Sequence, residues 1–174
     1  MHNNIINELK KNVKANFLLK KPIKVIESNR EEIKERFFKL LDQLIDDGEQ
    51  NIMVLGRNNF DIYKYIKELD GKGCFCYKGI KIKYLTVHCS KGLEEDNVIL
   101  INADDWLLGF PNKIEENKVM NLISKNKENY KYAEERRLFY VALTRTKKYI
   151  YILCNKNMES IFVKEIMSKV DIIK

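Results

Sequence analysis

Residues 134–153 read EERRLFYVALTRTKKYIYIL, which joins a helical pattern to a strand-like run. A helix over residues 134–148 would place four residues at helical spacing on one face: Leu138, Val141, Ala142 and Arg145. The apolar run 149–154 then predicts a β-strand. A cation near a helix C-terminus interacts favourably with the helix dipole, so Arg145 has a structural explanation here as well as a functional one.

Length and composition bound the class of protein. The chain has 174 residues, of which 45% are hydrophobic and 33% charged, as expected for one globular domain, or one with an appendage. No apolar run approaches a membrane span, and the start MHNNIINELKKN lacks the apolar centre of a signal peptide. The four cysteines have neither zinc-type nor CxxC spacing, so we expect reduced thiols, no metal site and a cytoplasmic location.

The net charge of +7 permits nucleic-acid binding but does not establish it. Most of the basic residues are lysines, and the chain is also rich in Ile and Asn, a combination that an AT-rich coding sequence produces. Arginines are more informative, because a planar guanidinium at a given place is harder to attribute to base composition. Three of them lie in the opening stretch: Arg136, Arg137 and Arg145.

Short apolar strands alternate with helical patterns along the chain, which predicts an α/β fold with a mainly parallel sheet flanked by helices. The predicted strands cover residues 23–27, 51–57, 82–87, 97–102 and 149–154. The fourth is almost wholly apolar and is therefore expected at the centre of the sheet. Between the strands we predict a helix capped by Ser28 and closed by Gly48, a helix near 61–69, and a last helix capped by Asn157.

Two segments are expected to lie outside the core of this domain. Residues 109–131 are polar, with Gly109 and Pro111 at their start, and are predicted to form an excursion on the surface. The first twenty residues have a helical and polar pattern, and we interpret residues 1–20 as the remnant of an upstream region. The domain proper is predicted to cover residues 21–174.

An α/β sheet often binds nucleotides, yet the phosphate-binding loop is missing from this sequence. No GxxxxGK[ST] motif occurs, and GKG at residues 71–73 lacks both the preceding glycine and the hydroxyl residue. Asp104 and Asp105 follow an apolar strand, as magnesium-binding acids do in such folds, but without the phosphate-binding loop a capped strand end is the better interpretation. We therefore expect the chain not to hydrolyse ATP by itself.

Residues 86–102 read TVHCSKGLEEDNVILIN and place polar side chains in a turn between two strands. This turn contains hydroxyl, imidazole and ammonium groups, which belong to Thr86, His88, Ser90 and Lys91. They follow the carboxyl end of a strand, which is the edge where open α/β sheets bind ligands. Such a set of groups suits a phosphate backbone or a nucleotide, although His88 taken alone would be an ordinary loop residue.

Several stretches of this sequence resemble known helicase motifs. TVHCSKGLEEDNVIL (86–100) resembles motif V, and EERRLFYVALTRTKKYIYIL resembles motif VI, of the UvrD/Rep-type superfamily 1 DNA helicases. GFP at 109–111 is similar to the turn between these motifs, VLGRNN at 54–59 to the strand and loop that open the same domain, and NKNMESIFVKEI to the tail of helicase IV-type members. The resemblance covers residues 50–165.

The resemblance implies a RecA-like domain of the P-loop NTPase type that lacks the P-loop itself and works beside an N-terminal RecA-like domain. ATP and Mg²⁺ would lie between the two, held mainly by that neighbour. Arg145 matches the arginine finger, which neutralises charge on the transferred phosphoryl group. Glu94 matches the motif V glutamate that approaches the nucleotide sugar, while Lys91 and Gly92 shape its loop.

Four further residues match positions near single-stranded DNA in this family: Thr86, His88 and, more loosely, Arg57 and Asn58. Motif V would then touch both ligands and couple hydrolysis to movement. For Arg136 and Arg137, ion pairs with Glu134, Glu135 or the sheet edge are expected instead. The function implied is that of the C-terminal motor domain of an ATP-dependent 3′→5′ DNA helicase, cytoplasmic and nucleoid-associated.

Two departures from the family pattern qualify this expectation. The second phosphate-sensing arginine of the family lies in an N-Y-R-S-like segment that is missing here, so the chain is expected to be part of a larger helicase. Only about a dozen residues connect Leu69 to Ile82, too few for the accessory domain that many relatives insert there. Two other interpretations stay open: a nucleic-acid-binding module that lost catalysis, and a protein-interaction domain whose partner surface is residues 109–131.

Overall fold

The computed structural model describes residues 21–114 and 132–173, and within them seven strands form one sheet. The strands are β1 (Ile23–Ser28), β2 (Ile52–Gly56), β3 (Cys74–Tyr77), β4 (Ile80–Thr86), β5 (Glu95–Leu100), β6 (Thr146–Asn155) and β7 (Asp171–Ile173). Their order across the sheet is β3-β4-β2-β5-β6-β1-β7. Every neighbouring pair is parallel except β3 with β4. The prediction of an α/β fold with a mainly parallel sheet is confirmed.

Helices cover both faces of this sheet. Helix α1 (Ile33–Asp46) packs on one face, and α2 (Ala133–Leu143) and α3 (Ile161–Ile166) pack on the other. Successive residues of a strand point to opposite faces, so Ile99 joins the core under α1 while Val98 and Leu100 join the core under α2 and α3. None of the helices in residues 21–114 and 132–173 is both long and apolar enough to cross a membrane.

The centre of the sheet is β5, as the mostly apolar run 97–102 predicts. It lies between β2 and β6, and Val98, Ile99 and Leu100 are fully buried. Because β2, β4, β5 and β6 run in the same direction, their C-terminal ends share one edge of the sheet, which we call the carboxyl edge. The opposite edge, where these strands begin, is the amino edge.

Two of the predicted helical segments are wrong in detail. Ser28 does not cap α1, because β1 extends through Ser28 and the helix begins at Ile33 without a side-chain cap. Residues 61–69 contain only a short 3-10 turn at Asp61–Lys64. The Asp61 carboxylate accepts a hydrogen bond from the backbone N–H of Asn58 at 2.8 Å, and such local bonds compete with a regular helix.

The helix of the opening stretch is shorter than the sequence predicts. It ends at Leu143 and not at residue 148, and β6 already begins at Thr146. Thr146 pairs with Glu95, and the β-branched and aromatic residues that follow continue the strand between β5 and β1. Arg145 therefore lies in the connection between α2 and β6 and does not continue a helical face.

The last helix also differs from its prediction. Ser160 and not Asn157 caps α3, since the Ser160 hydroxyl oxygen accepts a hydrogen bond from the backbone N–H of Phe162 at 3.2 Å. The helix ends at Ile166. Residues 171–173 then form β7 beside β1, a strand that the sequence interpretation missed.

The start of the predicted surface excursion is buried. Phe110 has no exposed surface, and its ring lies edge-on to Phe139 and Phe162, with centroids 5.5 and 6.1 Å away. A Cβ atom on Gly109 would lie 2.1 Å from the carbonyl oxygen of Asp104, so this turn requires glycine. Residues 115–131 of the excursion, and the helical remnant predicted at residues 1–20, lie outside the described residues.

Gly48 ends α1, as predicted, in a left-handed conformation with φ of 82°. Its N–H donates to the carbonyl of Ile45 and the next N–H donates to that of Leu44, each at 2.9 Å. An added Cβ would meet nothing within 4 Å, so an alanine would suffer only from its backbone conformation. We expect Gly48→Ala to lower the free energy of unfolding by about 1 kcal/mol or more, measured by denaturant titration.

Gly71→Ala is the matched control for this substitution. An added Cβ at Gly71 would also meet nothing within 4 Å, and its φ is not positive, so we expect a change below about 0.5 kcal/mol. Equal losses for the two variants would contradict the role of Gly48.

Candidate functional site

The segment that carries most of the predicted site residues crosses the sheet from edge to edge. Strand β4 ends at Thr86 on the carboxyl edge, whereas β5 begins at Glu95 on the amino edge. Residues 87–94 connect them through the 3-10 turn His88–Ser90 and a turn at Gly92, whose φ is 85°. The predicted residues therefore form two groups, one at each edge.

Arg145 lies at the amino edge, partly exposed, between the end of α2 and the start of β6. Its guanidinium donates from Nε to the Val141 carbonyl at 3.0 Å, from Nη2 to Thr144 Oγ1 at 3.0 Å, and from Nη1 to the Leu93 carbonyl at 3.3 Å. Among the described residues no carboxylate lies within ion-pair distance of it. A guanidinium has five N–H donors, so this cation is held in place with donors to spare.

The second half of the crossing segment lies beside Arg145. The backbone N–H of Glu95 donates to the Arg145 carbonyl at 3.0 Å, which places Glu94 next to the residue that pairs with Arg145. Glu94, Lys91 and Gly92 are all exposed. The structure thus brings Glu94 close to Arg145 at the amino edge, while Lys91 and Gly92 lie earlier in the same connecting segment. The roles of all four residues in ATP binding stay predictions.

The residues predicted to meet DNA lie at the carboxyl edge. His88 is exposed at the start of its 3-10 turn, whereas Thr86 is buried and its hydroxyl oxygen accepts a hydrogen bond from the Cys89 N–H at 3.4 Å. Asn58 follows β2, and its side-chain amide donates to the Leu108 carbonyl at 2.7 Å. These three residues share an edge that is opposite to Arg145 and Glu94.

Arg57, the fourth DNA-binding candidate, forms a buried ion pair. Its Nη2 lies 2.7 Å from Glu135 Oε1, and its Nε lies 3.0 and 3.1 Å from the two carboxylate oxygens. The two side chains are only 6% and 7% exposed. Glu135 Oε2 also accepts the backbone N–H of Asn112 at 3.1 Å. The structure shows Arg57 in a structural role, and DNA binding by it stays a prediction that this geometry does not support.

Sequence reasoning missed the importance of Glu135, although a signal was present. The buried face of α2 consists of residues at helical spacing: Glu135, Leu138, Phe139 and Ala142. A carboxylate on such a face needs a buried cation or several donors. Arg57, at the end of the buried strand β2, was available as that partner.

The two neighbouring arginines behave as surface residues. Arg137 pairs with Glu134 at 2.7 Å, as expected. Arg136 pairs with Glu165 on α3, with one contact at 2.9 Å, and its guanidinium lies 5.0 Å from the centre of the Phe162 ring. The structure assigns neither to the amino-edge group around Arg145.

Asp104 lies four residues beyond the end of β5 and binds Asn155, the last residue of β6, which suits the interpretation of a capped strand end. Its Oδ1 accepts the backbone N–H of Asn155 at 2.6 Å, and its Oδ2 accepts the Asn155 side-chain amide. Burial raises the pKa of this carboxyl, and the bonds from Asn155 oppose that shift. Among residues 21–114 and 132–173, no group of three or more His, Cys, Asp or Glu side chains is arranged to hold a metal ion.

The sequence of this chain is similar to those of known helicases. Residues 76–157 match the family described as UvrD-like helicase C-terminal domain. The chain is 32% identical over 139 residues to DNA helicase IV of Escherichia coli strain K12, an alignment that covers 76% of this chain and 19% of that protein. It is 42% identical over 74 residues to the probable DNA helicase II homolog of Mycoplasma pneumoniae, covering 41% of this chain and 9% of that protein.

A solved structure shares the fold. The C-terminal domain of a possible DNA helicase from Lactobacillus plantarum WCFS1 superposes with a TM-score of 0.59 over 88% of this chain and 85% of that chain, at 16% sequence identity. At this identity the match speaks for the fold alone. The chain spans about a fifth of the length of the E. coli relative and less of the M. pneumoniae one.

The buried ion pair generates a prediction about stability. Glu135→Ala deprives the buried Arg57 guanidinium of its carboxylate, so we expect the free energy of unfolding to fall by about 3–5 kcal/mol, measured by denaturant titration. Replacing both partners by apolar residues, Arg57→Met with Glu135→Leu, removes both charges and should cost less than the single change.

Glu134→Ala is the control, because Glu134 pairs with Arg137 at the surface, where ion pairs contribute about 0–1 kcal/mol. A loss for Glu135→Ala no larger than that for Glu134→Ala would show that the buried pair does not stabilise the fold.

Proposed function

We propose a function from one premise, which is that this chain carries the C-terminal domain of a UvrD-like helicase. It forms the second RecA-like half of an ATP-dependent DNA helicase that moves 3′→5′ along a single strand. Its partner is the N-terminal RecA-like domain of the same enzyme, and the enzyme works in the cytoplasm in association with the nucleoid. ATP is hydrolysed between the two domains, and this chain by itself does not hydrolyse it.

The placement of Arg145 is the observation that carries this proposal. Three hydrogen bonds, to Val141, Thr144 and Leu93, hold the guanidinium at the amino edge, partly exposed. A cation fixed before the reaction stabilises charge that develops on a transferred phosphoryl group without having to reorganise. Arg145 is therefore the arginine finger that reaches a triphosphate gripped by the neighbouring domain.

The neighbours of Arg145 contribute to nucleotide binding. Glu94 is exposed beside it and approaches the sugar of ATP, while Lys91 and Gly92 shape the loop that presents Glu94. The described part of the chain has no cluster of acids for Mg²⁺, so the ion is held mainly by the N-terminal domain together with the phosphates. This chain supplies the positive charge of Arg145 and, through Glu94, a contact that positions the nucleotide.

The carboxyl edge is the track for single-stranded DNA. His88 is exposed there, and Thr86 and Asn58 lie at the ends of the adjacent strands β4 and β2. Residues 87–94 join this track to the amino edge, so a shift of this segment changes the contacts with both DNA and ATP. This direct connection is how hydrolysis is coupled to movement.

Arg145→Ala tests the assignment of the arginine finger. In the helicase that contains this domain together with its N-terminal motor domain, we expect ATP turnover to fall about a thousandfold or more, because the cation that stabilises the charge developing on the phosphoryl group is lost. The affinity for single-stranded DNA should change little, since Arg145 lies at the opposite edge.

Arg137→Ala is the control for this experiment, because Arg137 is an exposed arginine on α2 that pairs with Glu134. It should leave turnover nearly unchanged. A rate for Arg145→Ala equal to that of the Arg137 variant would remove the arginine-finger assignment.

His88→Ala tests the link between the two edges. Because His88 lies on the DNA track, we expect its loss to reduce ATP hydrolysis stimulated by single-stranded DNA more than basal hydrolysis. The measurement compares turnover with and without an oligonucleotide at saturating ATP. Equal losses in both conditions would show that His88 has only a structural role.

A further inference from the structure

Thr144 lies between the end of helix α2 and Arg145, and its side chain takes part in two hydrogen bonds. The hydroxyl donates to the Val141 carbonyl at 2.9 Å and accepts from Nη2 of Arg145 at 3.0 Å. Nε of Arg145 donates to the same Val141 carbonyl at 3.0 Å. The guanidinium is therefore attached to the helix end at two points, once directly and once through Thr144.

The Val141 carbonyl lies in the last turn of α2, where the carbonyls of a helix have no regular intrahelical partner. It accepts from the Thr144 backbone N–H at 3.1 Å as well as from the Thr144 hydroxyl and Arg145. This end of a helix is the negative end of its dipole, so a guanidinium is favoured there. Helix α2 thus sets the place of the cation.

The three acceptors that hold Arg145 are all uncharged. Two are the backbone carbonyls of Val141 and Leu93, and the third is the Thr144 hydroxyl. A carboxylate would form a stronger bond, but it would also neutralise the guanidinium. Uncharged acceptors fix the position of the cation and leave its positive charge available to a ligand.

These bonds use three of the five N–H groups of Arg145, one on each nitrogen. In the part of the chain that the structure describes, no other group accepts from this guanidinium. One N–H on each terminal nitrogen is therefore left over. Two such donors on a planar guanidinium suit the oxygens of a phosphoryl group.

We propose that Thr144 is a positioning residue for Arg145, whose hydroxyl holds the guanidinium in place for the phosphoryl group of ATP without neutralising it. The inference rests on the proposed function, since it requires that Arg145 acts on ATP. Thr144 contacts neither ATP nor DNA, and it affects hydrolysis only through Arg145.

The remaining contacts of Arg145 do not replace this hydroxyl. The bond to Leu93 is the longest of the three, at 3.3 Å, and Leu93 belongs to the segment 87–94 that shifts in the proposed coupling. Thr144 is the contact that ties a terminal nitrogen to α2. It keeps the guanidinium on the helix when the segment moves, and a displacement of about 1 Å in a reacting group can cost about a hundredfold in rate.

Thr144→Val removes the hydroxyl and keeps the shape of the side chain, whereas Thr144→Ser keeps the hydroxyl. In the helicase that contains this domain together with its N-terminal motor domain, we expect Thr144→Val to lower kcat for ATP hydrolysis about tenfold and to change KM for ATP by less than about twofold. Thr144→Ser should retain most of the turnover. An equal loss for the two variants would show that the hydroxyl is not what matters, and would overturn the proposal.

Thr146→Val is the matched control, because Thr146 is another half-buried threonine at the amino edge. Its hydroxyl lies 2.9 Å from the Asp96 carbonyl and 2.7 Å from the Tyr149 carbonyl, and it does not contact the guanidinium of Arg145. This variant loses side-chain hydrogen bonds of the same kind, so it should lower the free energy of unfolding as Thr144→Val does. We expect it to leave kcat nearly unchanged, and a loss equal to that of Thr144→Val would assign both effects to stability.

A double-mutant cycle shows whether Thr144 acts through Arg145. In an Arg145→Ala background the guanidinium is absent, so Thr144→Val should cause no further loss of turnover. A further loss of about tenfold in that background, as large as in the unmodified enzyme, would mean that Thr144 acts by another route and would overturn the proposal.

A second readout needs neither ATP nor the neighbouring domain. The Nε–H signal of Arg145 in a ¹⁵N–¹H spectrum of this chain is assigned by its absence in Arg145→Ala. We expect this proton to exchange with water faster in Thr144→Val than in Thr146→Val, because only the first variant loosens the guanidinium. Unchanged exchange in Thr144→Val would contradict the positioning role.

The results also separate this inference from the proposed function. If Arg145→Ala lowers turnover and Thr144→Val does not, the role of Thr144 is wrong while the arginine-finger assignment stands. If neither variant lowers turnover, the arginine-finger assignment fails and the role of Thr144 fails with it.

Discussion

The buried ion pair between Arg57 and Glu135 sets the position of helix α2. Two charges taken out of water cost several kcal/mol each, and only good geometry and further hydrogen bonds offset this. Here Glu135 receives two guanidinium nitrogens and the Asn112 amide, so one carboxylate ties the end of β2, the turn around Pro111 and the first turn of α2 together. The eleven residues of α2 then carry this constraint about 16 Å across the sheet.

The C-terminal end of α2, at the amino edge, positions Arg145. The guanidinium rests on the last turn of the helix, through the Val141 carbonyl, and on the crossing segment, through the Leu93 carbonyl. Helix α2 and the crossing segment (residues 87–94) therefore both run from the carboxyl edge to the amino edge, and both contact the guanidinium of Arg145. In the function that we propose, this convergence means that the grip on DNA and the approach to ATP cannot change independently.

Much of the fold could be predicted from short-range patterns. The apolar run 97–102 indicated the central strand, and the spacing of Phe37, Leu41 and Leu44 indicated α1. Boundaries failed where tertiary contacts compete with local preference. Residues 146–148 suit a helix as well as a strand, but pairing with β5 draws Thr146 into β6 and ends the helix at Leu143. Neither Ser160 as the cap of α3 nor the edge strand β7 followed from a pattern that the sequence made distinctive.

The sequence by itself determined the family resemblance and the side chains of the candidate site. Motif residues such as Arg145, Glu94 and His88 are recognised by residue type and spacing. Only the tertiary structure decided which groups meet. It placed Arg145 and His88 at opposite edges of the sheet. It also buried Arg57 in an ion pair with Glu135, a residue 78 positions later in the sequence. The physical reason is that burial and pairing depend on atoms brought together from distant parts of the chain, and no local pattern records those distances.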